Sequence, residues 1–213
     1  MVSKDGKDFK FKIVLLGEGA VGKSSLVLRY CENKFKQMHV STIQASFQKR
    51  TITVDECKAE LNIWDTAGQE KYHALGPIYY RGSNGVLLIF DITDRRSFDK
   101  VKMWMREIKT SLGDSAELMI IGNKLDLEHQ RNVAKSEAEE YAKGENALYM
   151  ETSAMENIGI SEAFEELTIK MIEHWREHGR DTSAIGTRSI QLVADDDDDE
   201  EPEEPRRRRK CCT

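Results

Sequence analysis

Apolar residues in this chain gather into short runs, separated by stretches where they recur at helical spacing. Phe11, Ile13, Val14, Leu15 and Leu16 make one run; Gly85 to Asp91 (GVLLIFD), Glu117 to Gly122 and Ala147 to Glu151 make others. Uninterrupted runs of this length fit strands buried on both faces of a sheet. Ser46 to Val54 and Lys58 to Trp64 instead alternate with a period of two and meet near Asp55-Glu56, which predicts a hairpin and one antiparallel edge strand. Helical spacing runs from Lys23 to about Glu32, from about Ser97 to Leu112 with Phe98, Val101, Trp104 and Ile108 on one side, and from about Ile160 to His178 with Ala163, Phe164, Leu167, Met171 and Trp175 on one side. Asn33 to Thr42 keeps no period and reads as a mobile loop. The pattern predicts an α/β fold: a six-stranded, mostly parallel sheet with one antiparallel edge strand and helices on both faces.

The first strand runs directly into GEGAVGKSS, Gly17 to Ser25, which satisfies G-x-x-x-x-G-K-[ST]. This spacing belongs to a phosphate loop: backbone N–H groups of Gly19, Ala20, Val21, Gly22, Lys23, Ser24 and Ser25 wrap phosphate oxygens at a helix N-terminus. Lys23 reaches the β- and γ-phosphates and the Ser24 hydroxyl ligates Mg²⁺. Gly17, Gly19 and Gly22 also fit a dinucleotide fingerprint. That rival needs an acid some way on for the ribose, and none occurs between Asn33 and Val54.

Two further motifs stand at the carboxyl ends of predicted strands. WDTAGQE, Trp64 to Glu70, puts Asp65 where it holds a metal, Gly68 where its N–H meets a γ-phosphate, and Gln69 where it orients an attacking water. Asn123-Lys124-Leu125-Asp126 supplies a carboxylate, Asp126, that accepts from both N1–H and the exocyclic amine of guanine; adenine does not offer that pair. Lys124 lays its stem over the base, and Asn123 ties this loop to the phosphate loop. After the last strand, backbone N–H groups of Thr152-Ser153-Ala154 meet the guanine oxygen. An ATP-using phosphate-loop kinase would require Asp126 not to read the base.

Composition narrows the class further. No apolar run approaches the ~18 residues needed to span a bilayer, and synthesis in the cytosol is expected. The formal net charge of −6 hides an acidic run, Asp195 to Glu204, beside a basic one, Arg206 to Lys210, so no nucleic-acid partner is indicated. Residues from Gly179 on, with Pro202 and Pro205 inside the charged run, form a flexible tether ending in Cys211-Cys212-Thr213. The expected organisation is an extension over 1–8, a nucleotide-binding domain over 9–178 and a charged tail over 179–213. Cys31 and Cys57 read as packing or surface thiols, and His174 and His178, four apart on a helix without an evident third ligand, as solvated residues.

With these motifs the chain resembles a Rab-family small GTPase, from Phe9 to about Trp175 and again at the terminus. IQASF (Ile43 to Phe47), LNIWDTAGQE, YYRGS (Tyr79 to Ser83) and LLIFDIT (Leu87 to Thr93) are similar to the family's marker segments. Gln44 to Phe47 with HALGPIYYRGS resembles its endosomal branch. The resemblance implies a G domain that binds GTP or GDP with Mg²⁺, hydrolyses GTP slowly, and recruits effectors in vesicle traffic when GTP-bound. It implies Thr42 as a switch threonine ligating Mg²⁺, Phe35 stacked on guanine, and Phe47, Trp64 and Tyr79 as an effector face. Met155 stands where the family usually has lysine. Lys210 is not the cysteine fourth from the end that Ras and Rho types need, and Val2 is not the glycine of the Arf type. The Cys211-Cys212 end implies two geranylgeranyl groups, a stable anchor where one chain is reversible. The implied partners are an exchange factor, an activating protein, effectors, a prenylation escort and a dissociation inhibitor. The implied life is that of a monomer cycling between cytosol and endosomal membrane. A GTP-bound docking module with negligible hydrolysis is the alternative, and Gln69 argues against it.

Overall fold

The computed structural model describes residues 8–37, 42, 45–67 and 76–178. The elements in order are β1 (Asp8–Leu16), α1 (Lys23–Glu32), β2 (Ser46–Val54), β3 (Cys57–Asp65), α2 (Gly76–Tyr80), β4 (Gly85–Asp91), α3 (Arg95–Leu112), β5 (Glu117–Asn123), α4 (Lys135–Gly144), β6 (Leu148–Thr152) and α5 (Ile160–His178), with a 3-10 turn over Leu125–Gln130. One six-stranded sheet has the order β2-β3-β1-β4-β5-β6. Only the β2–β3 pair is antiparallel among these neighbours.

Both sheet faces are covered, which explains the uninterrupted apolar runs. Ile13 and Leu15 of β1, with Leu87 and Ile89 of β4, pack under α1 and α5 against Leu26, Phe164, Leu167 and Met171. Val14 and Leu16, with Val86, Leu88 and Phe90, pack on the opposite face against Phe98, Val101, Trp104 and Met105 of α3 and Ala138 and Ala142 of α4. Each of these large side chains contributes roughly 1.5–3 kcal/mol by leaving water. The hairpin turn falls at Asp55-Glu56, both at positive φ (47° and 63°), the handedness that matches strand twist in a two-residue connection.

Helix α3 begins two residues before the expected Ser97, because the Asp94 carboxylate accepts from the Arg96 N–H at 2.9 Å and caps it. Strand β5 runs one residue past Gly122 to Asn123, and β6 extends through Thr152. Helix α4 is not evident in the apolar pattern: its buried residues are two alanines. Of Asn33 to Thr42, residues 38–41 lie outside the described residues, as do Gly68, Gln69 and everything from Gly179 to the terminal cysteines. Among the described residues no helix is long and apolar enough to cross a membrane.

The sheet order reverses at β1, which lies between β3 and β4. In such a sheet the carboxyl ends of the strands open a crevice at the reversal. Register places the motif residues along that edge: Leu15 beside Asp65, Asp91 beside Asn123, and Asn123 beside Thr152.

Candidate functional site: a cleft between a phosphate loop and a base-reading loop

At the carboxyl edge of the sheet lies a cavity of about 320 Å³, within the range of small-molecule sites. One end is the turn between β1 and α1. Gly17 has φ 150°, and a Cβ there would lie 2.2 Å from the Ile89 carbonyl oxygen. Gly22 has φ 97°, and a Cβ there would lie 2.4 Å from Asn123 Nδ2. Both glycines are therefore required by close approach as well as by dihedral. Lys23 is buried; its Nζ donates to the carbonyls of Gly17 at 2.8 Å and Glu18 at 2.9 Å. Burial lowers its pKa from 10.5 to about 8 against the opposing pull of Asp65 and Glu18. An anion in the cleft would raise it again.

The Ser24 hydroxyl sits 2.7 Å from that of Thr42, so two hydroxyls from segments far apart in sequence meet beside Lys23. Asp65 is buried at the end of β3, and Thr66 next to it donates to the Leu15 carbonyl at 2.7 Å. The two hydroxyls in contact, and a carboxylate at the end of β3, are hard oxygen donors of the kind Mg²⁺ prefers.

The other end is built from β5 and β6. Asn123, 1% exposed, donates from Nδ2 to the Val21 carbonyl at 2.8 Å and accepts at Oδ1 from the Thr152 hydroxyl at 3.0 Å. Its side chain thereby joins the phosphate loop to the end of β6. Lys124, at φ 68°, pairs its Nζ with Asp91 Oδ2 at 2.6 Å; the other Asp91 oxygen accepts from the Thr93 N–H and hydroxyl. Asp126 accepts from the Ser153 hydroxyl at 2.5 Å. Arg29 of α1 donates to the carbonyls of Ala154 at 2.9 Å and Met155 at 3.1 Å, and lies 5.9 Å from the Phe35 ring centre.

Of the residues expected in the site, Gly19, Ala20, Gly22, Lys23, Ser24, Ser25, Phe35, Thr42, Asn123, Lys124, Asp126, Ala154 and Met155 line this one cavity. Val21 does not: its side chain is buried in the core beneath, and its carbonyl is the one Asn123 holds. Ser153 stands behind the wall, between Asp126 and the Glu156 N–H. Asp65 is not among the lining residues; it is buried at the end of β3 and acts electrostatically on Lys23, while Gly68 and Gln69 fall outside the described residues. Thr66, Lys36 and Gln37 also line the cavity. Thr66 falls within the WDTAGQE motif, whereas Lys36 and Gln37 carry no motif. Asp91 carried the same signal as Asp65, an acid at the carboxyl end of a predicted strand; Arg29 carried none.

Away from the cleft, Phe47 and Trp64 face each other across β2 and β3 with ring centres 5.4 Å apart, and Tyr79 continues the row at 6.4 Å from Trp64. Trp64 and Tyr79 are half-buried against the α3 side of the core, whereas Phe47 is 49% exposed. The row therefore packs the sheet and presents a surface. His174 pairs with Glu117 at 2.9 Å, and no group of three or more metal-ligating side chains occurs among the described residues.

The sequence model of the Ras family matches residues 12–173. Ras-related protein Rab-21 of Homo sapiens is 51% identical over 196 residues, covering 89% of this chain and 87% of the relative. Rab-21 of Dictyostelium discoideum is 53% identical over 162 residues, covering 76% of each chain. Rab-21 of Geodia cydonium is 52% identical over 164 residues, covering 77% of this chain and 72% of the relative. The family binds guanine nucleotide together with Mg²⁺. The matched span encloses both ends of the cleft, and the chain belongs to the Ras family as a Rab-type GTPase that hydrolyses GTP and works as a molecular switch in membrane trafficking.

Proposed function

We propose that the cavity is where this chain binds GTP and GDP, with the phosphates on the Gly19 to Ser25 backbone and the base against Asp126. The observation that carries this reading is the Asn123 side chain, which holds the phosphate loop and the base-reading turn at a fixed separation. Asp126 spends part of one oxygen on Ser153 and keeps lone pairs for the N1–H and amine of guanine. Ala154 and Met155 supply backbone N–H groups for the guanine oxygen, and Phe35 covers the ring.

Ser24, Thr42 and Asp65 would hold Mg²⁺, which when bound would neutralise charge on the phosphates of the nucleotide. Lys23 offsets charge that develops during transfer, and placing it against its own loop carbonyls keeps it aimed at the cleft. Gly68 donates its N–H to the γ-phosphate and Gln69 orients the attacking water. No arginine is among the described residues that line the cavity. Unaided turnover is therefore slow, leaving roughly 10³–10⁵-fold for an arginine from an activating protein. Loss of the γ-phosphate releases Thr42 and Gly68, and effectors that read Phe47, Trp64 and Tyr79 leave.

Around this cycle we place an exchange factor, an activating protein, effectors, a prenylation escort and a dissociation inhibitor. Two geranylgeranyl groups on Cys211 and Cys212 anchor the chain to the cytosolic face of endosomes; the relatedness to Rab-21 supports that compartment. The base reading is tested by Asp126→Asn. Its amide offers one donor and one acceptor where the carboxylate offered acceptors only, so preference should move from GDP to xanthosine diphosphate, whose ring carries an oxygen in place of the amine. Calorimetric titration with both nucleotides checks this, and an unchanged guanine preference would remove Asp126 from base reading.

A further inference from the structure

Arg29 joins three segments around the base end of the cleft. Nε donates to Ala154 O at 2.9 Å, Nη2 to Met155 O at 3.1 Å and Nη1 to Asn33 O at 3.2 Å, while the Phe35 ring lies 5.9 Å from its Cζ. Asn33 is the left-handed cap that ends α1, so the same cation fixes the helix end, the segment leading to Phe35, and the turn after β6.

The contact with Met155 has a directed consequence. In a trans peptide the carbonyl and the following N–H point in opposite directions. Holding Met155 O at Arg29 therefore aims the Glu156 N–H away from it, and that N–H donates to Ser153 Oγ at 3.0 Å. Ser153 Oγ in turn donates to Asp126 Oδ1 at 2.5 Å. A guanidinium on the carbonyl strengthens the N–H of the same peptide as a donor, and a hydroxyl that accepts such a bond becomes a stronger donor itself. The chain of bonds runs from α1 to the carboxylate without a gap. Met155, 53% exposed and uncharged, adds no charge of its own to this turn.

We propose that Arg29 is a positioning residue for base recognition: through the Met155–Glu156 peptide and Ser153 it fixes the Asp126 carboxylate. The proposal rests on the reading of Asp126 as the guanine acceptor.

The test is stopped-flow release of fluorescently labelled GDP and IDP from wild type, Arg29→Met, Ser153→Ala and the double variant, each loaded with nucleotide and checked for cooperative melting. IDP lacks the exocyclic amine, so the gap between the two release rates reports what the carboxylate contributes to that amine. Arg29→Met is expected to speed GDP release about tenfold, the loss of one charge-assisted hydrogen bond, and IDP release much less, narrowing the gap. In the Ser153→Ala background, Arg29→Met should narrow it little further, because both act on one chain of bonds. Equal acceleration of both nucleotides, or additive effects in the double variant, would overturn the proposal and leave Arg29 as a structural tie. A wild type without any gap would instead overturn the reading of Asp126 on which the proposal stands. Should Arg29→Met not fold, Arg29→Lys, which keeps the cation but reaches a single carbonyl, is expected to give the same pattern at smaller amplitude, with the same contradicting results.

Discussion

The two ends of the cleft are finished to different degrees. At the base end the side chains are held by protein partners that a ligand would leave in place: Asn123 by Val21 and Thr152, Lys124 by Asp91, Asp126 by Ser153. At the phosphate end the pairing of the Ser24 and Thr42 hydroxyls is one that the proposed Mg²⁺ would replace. Lys23 rests on its own loop carbonyls, and the hydroxyls of Ser24 and Thr42 rest on each other. On the reading proposed above, the base end is preorganised and decides what is bound, while the geometry of the phosphate end depends on what is bound, and that dependence is what a switch requires.

The largest expected break comes at the joint between the ends. Asn123→Ala leaves the buried Val21 carbonyl and Thr152 hydroxyl unpaired, at about 1–3 kcal/mol each. It should lower the melting temperature of the loaded protein and speed GDP and GTP release alike, both measurable in one preparation. A variant that melts and releases as wild type does would separate the two ends. A smaller, selective effect is expected at Thr42→Ala: GTP affinity in Mg²⁺ falls about tenfold, the size of one lost contact to a charged group, while GDP affinity is unchanged. Equal losses for both would place Thr42 in general binding.

The smallest effect is a pH dependence. Folding carries Lys23 from a pKa of 10.5 down to about 8 by burial. Between these values the unfolded chain binds more protons than the folded one, so folded stability rises with pH in that window. The penalty for a buried charge is fully present below about pH 8 and fades above it. Urea unfolding of nucleotide-free wild type and Lys23→Met should diverge in wild type's favour as pH increases from 7.5 to 9.5, and GDP should abolish the trend. A constant difference would contradict the burial argument.

Much of this site was legible because its residues sit at the ends of elements. Gly17 to Ser25, Asp65 and Asn123 to Asp126 each stand at the carboxyl end of a strand legible in the pattern, so strand periodicity alone puts them on one edge of the sheet. The antiparallel hairpin was legible for a similar reason, since alternation of period two distinguishes β2 and β3 from the continuous runs. Helix α4 was not, because its buried positions are two alanines, too small to stand out as a row of large apolar residues. Arg29 and Asp91 escaped for another reason. Their roles are fixed by partners far away in sequence, Ala154 and Met155 for Arg29 and Lys124 for Asp91, and no local spacing encodes such a meeting. The departure at Met155 was visible in sequence, but the guanidinium on its carbonyl was visible only in the fold.

The central claim is that the third phosphate acts on one end of the cleft and leaves the other alone. Amide hydrogen exchange on the full chain loaded with Mg²⁺–GDP and then with a non-hydrolysable GTP analogue tests it most directly. The account predicts slower exchange around Thr42 and Gly68 with the analogue, and equal exchange in both states across Asn123 to Asp126 and Thr152 to Met155. Identical exchange everywhere, or changes of equal size at both ends, would contradict it.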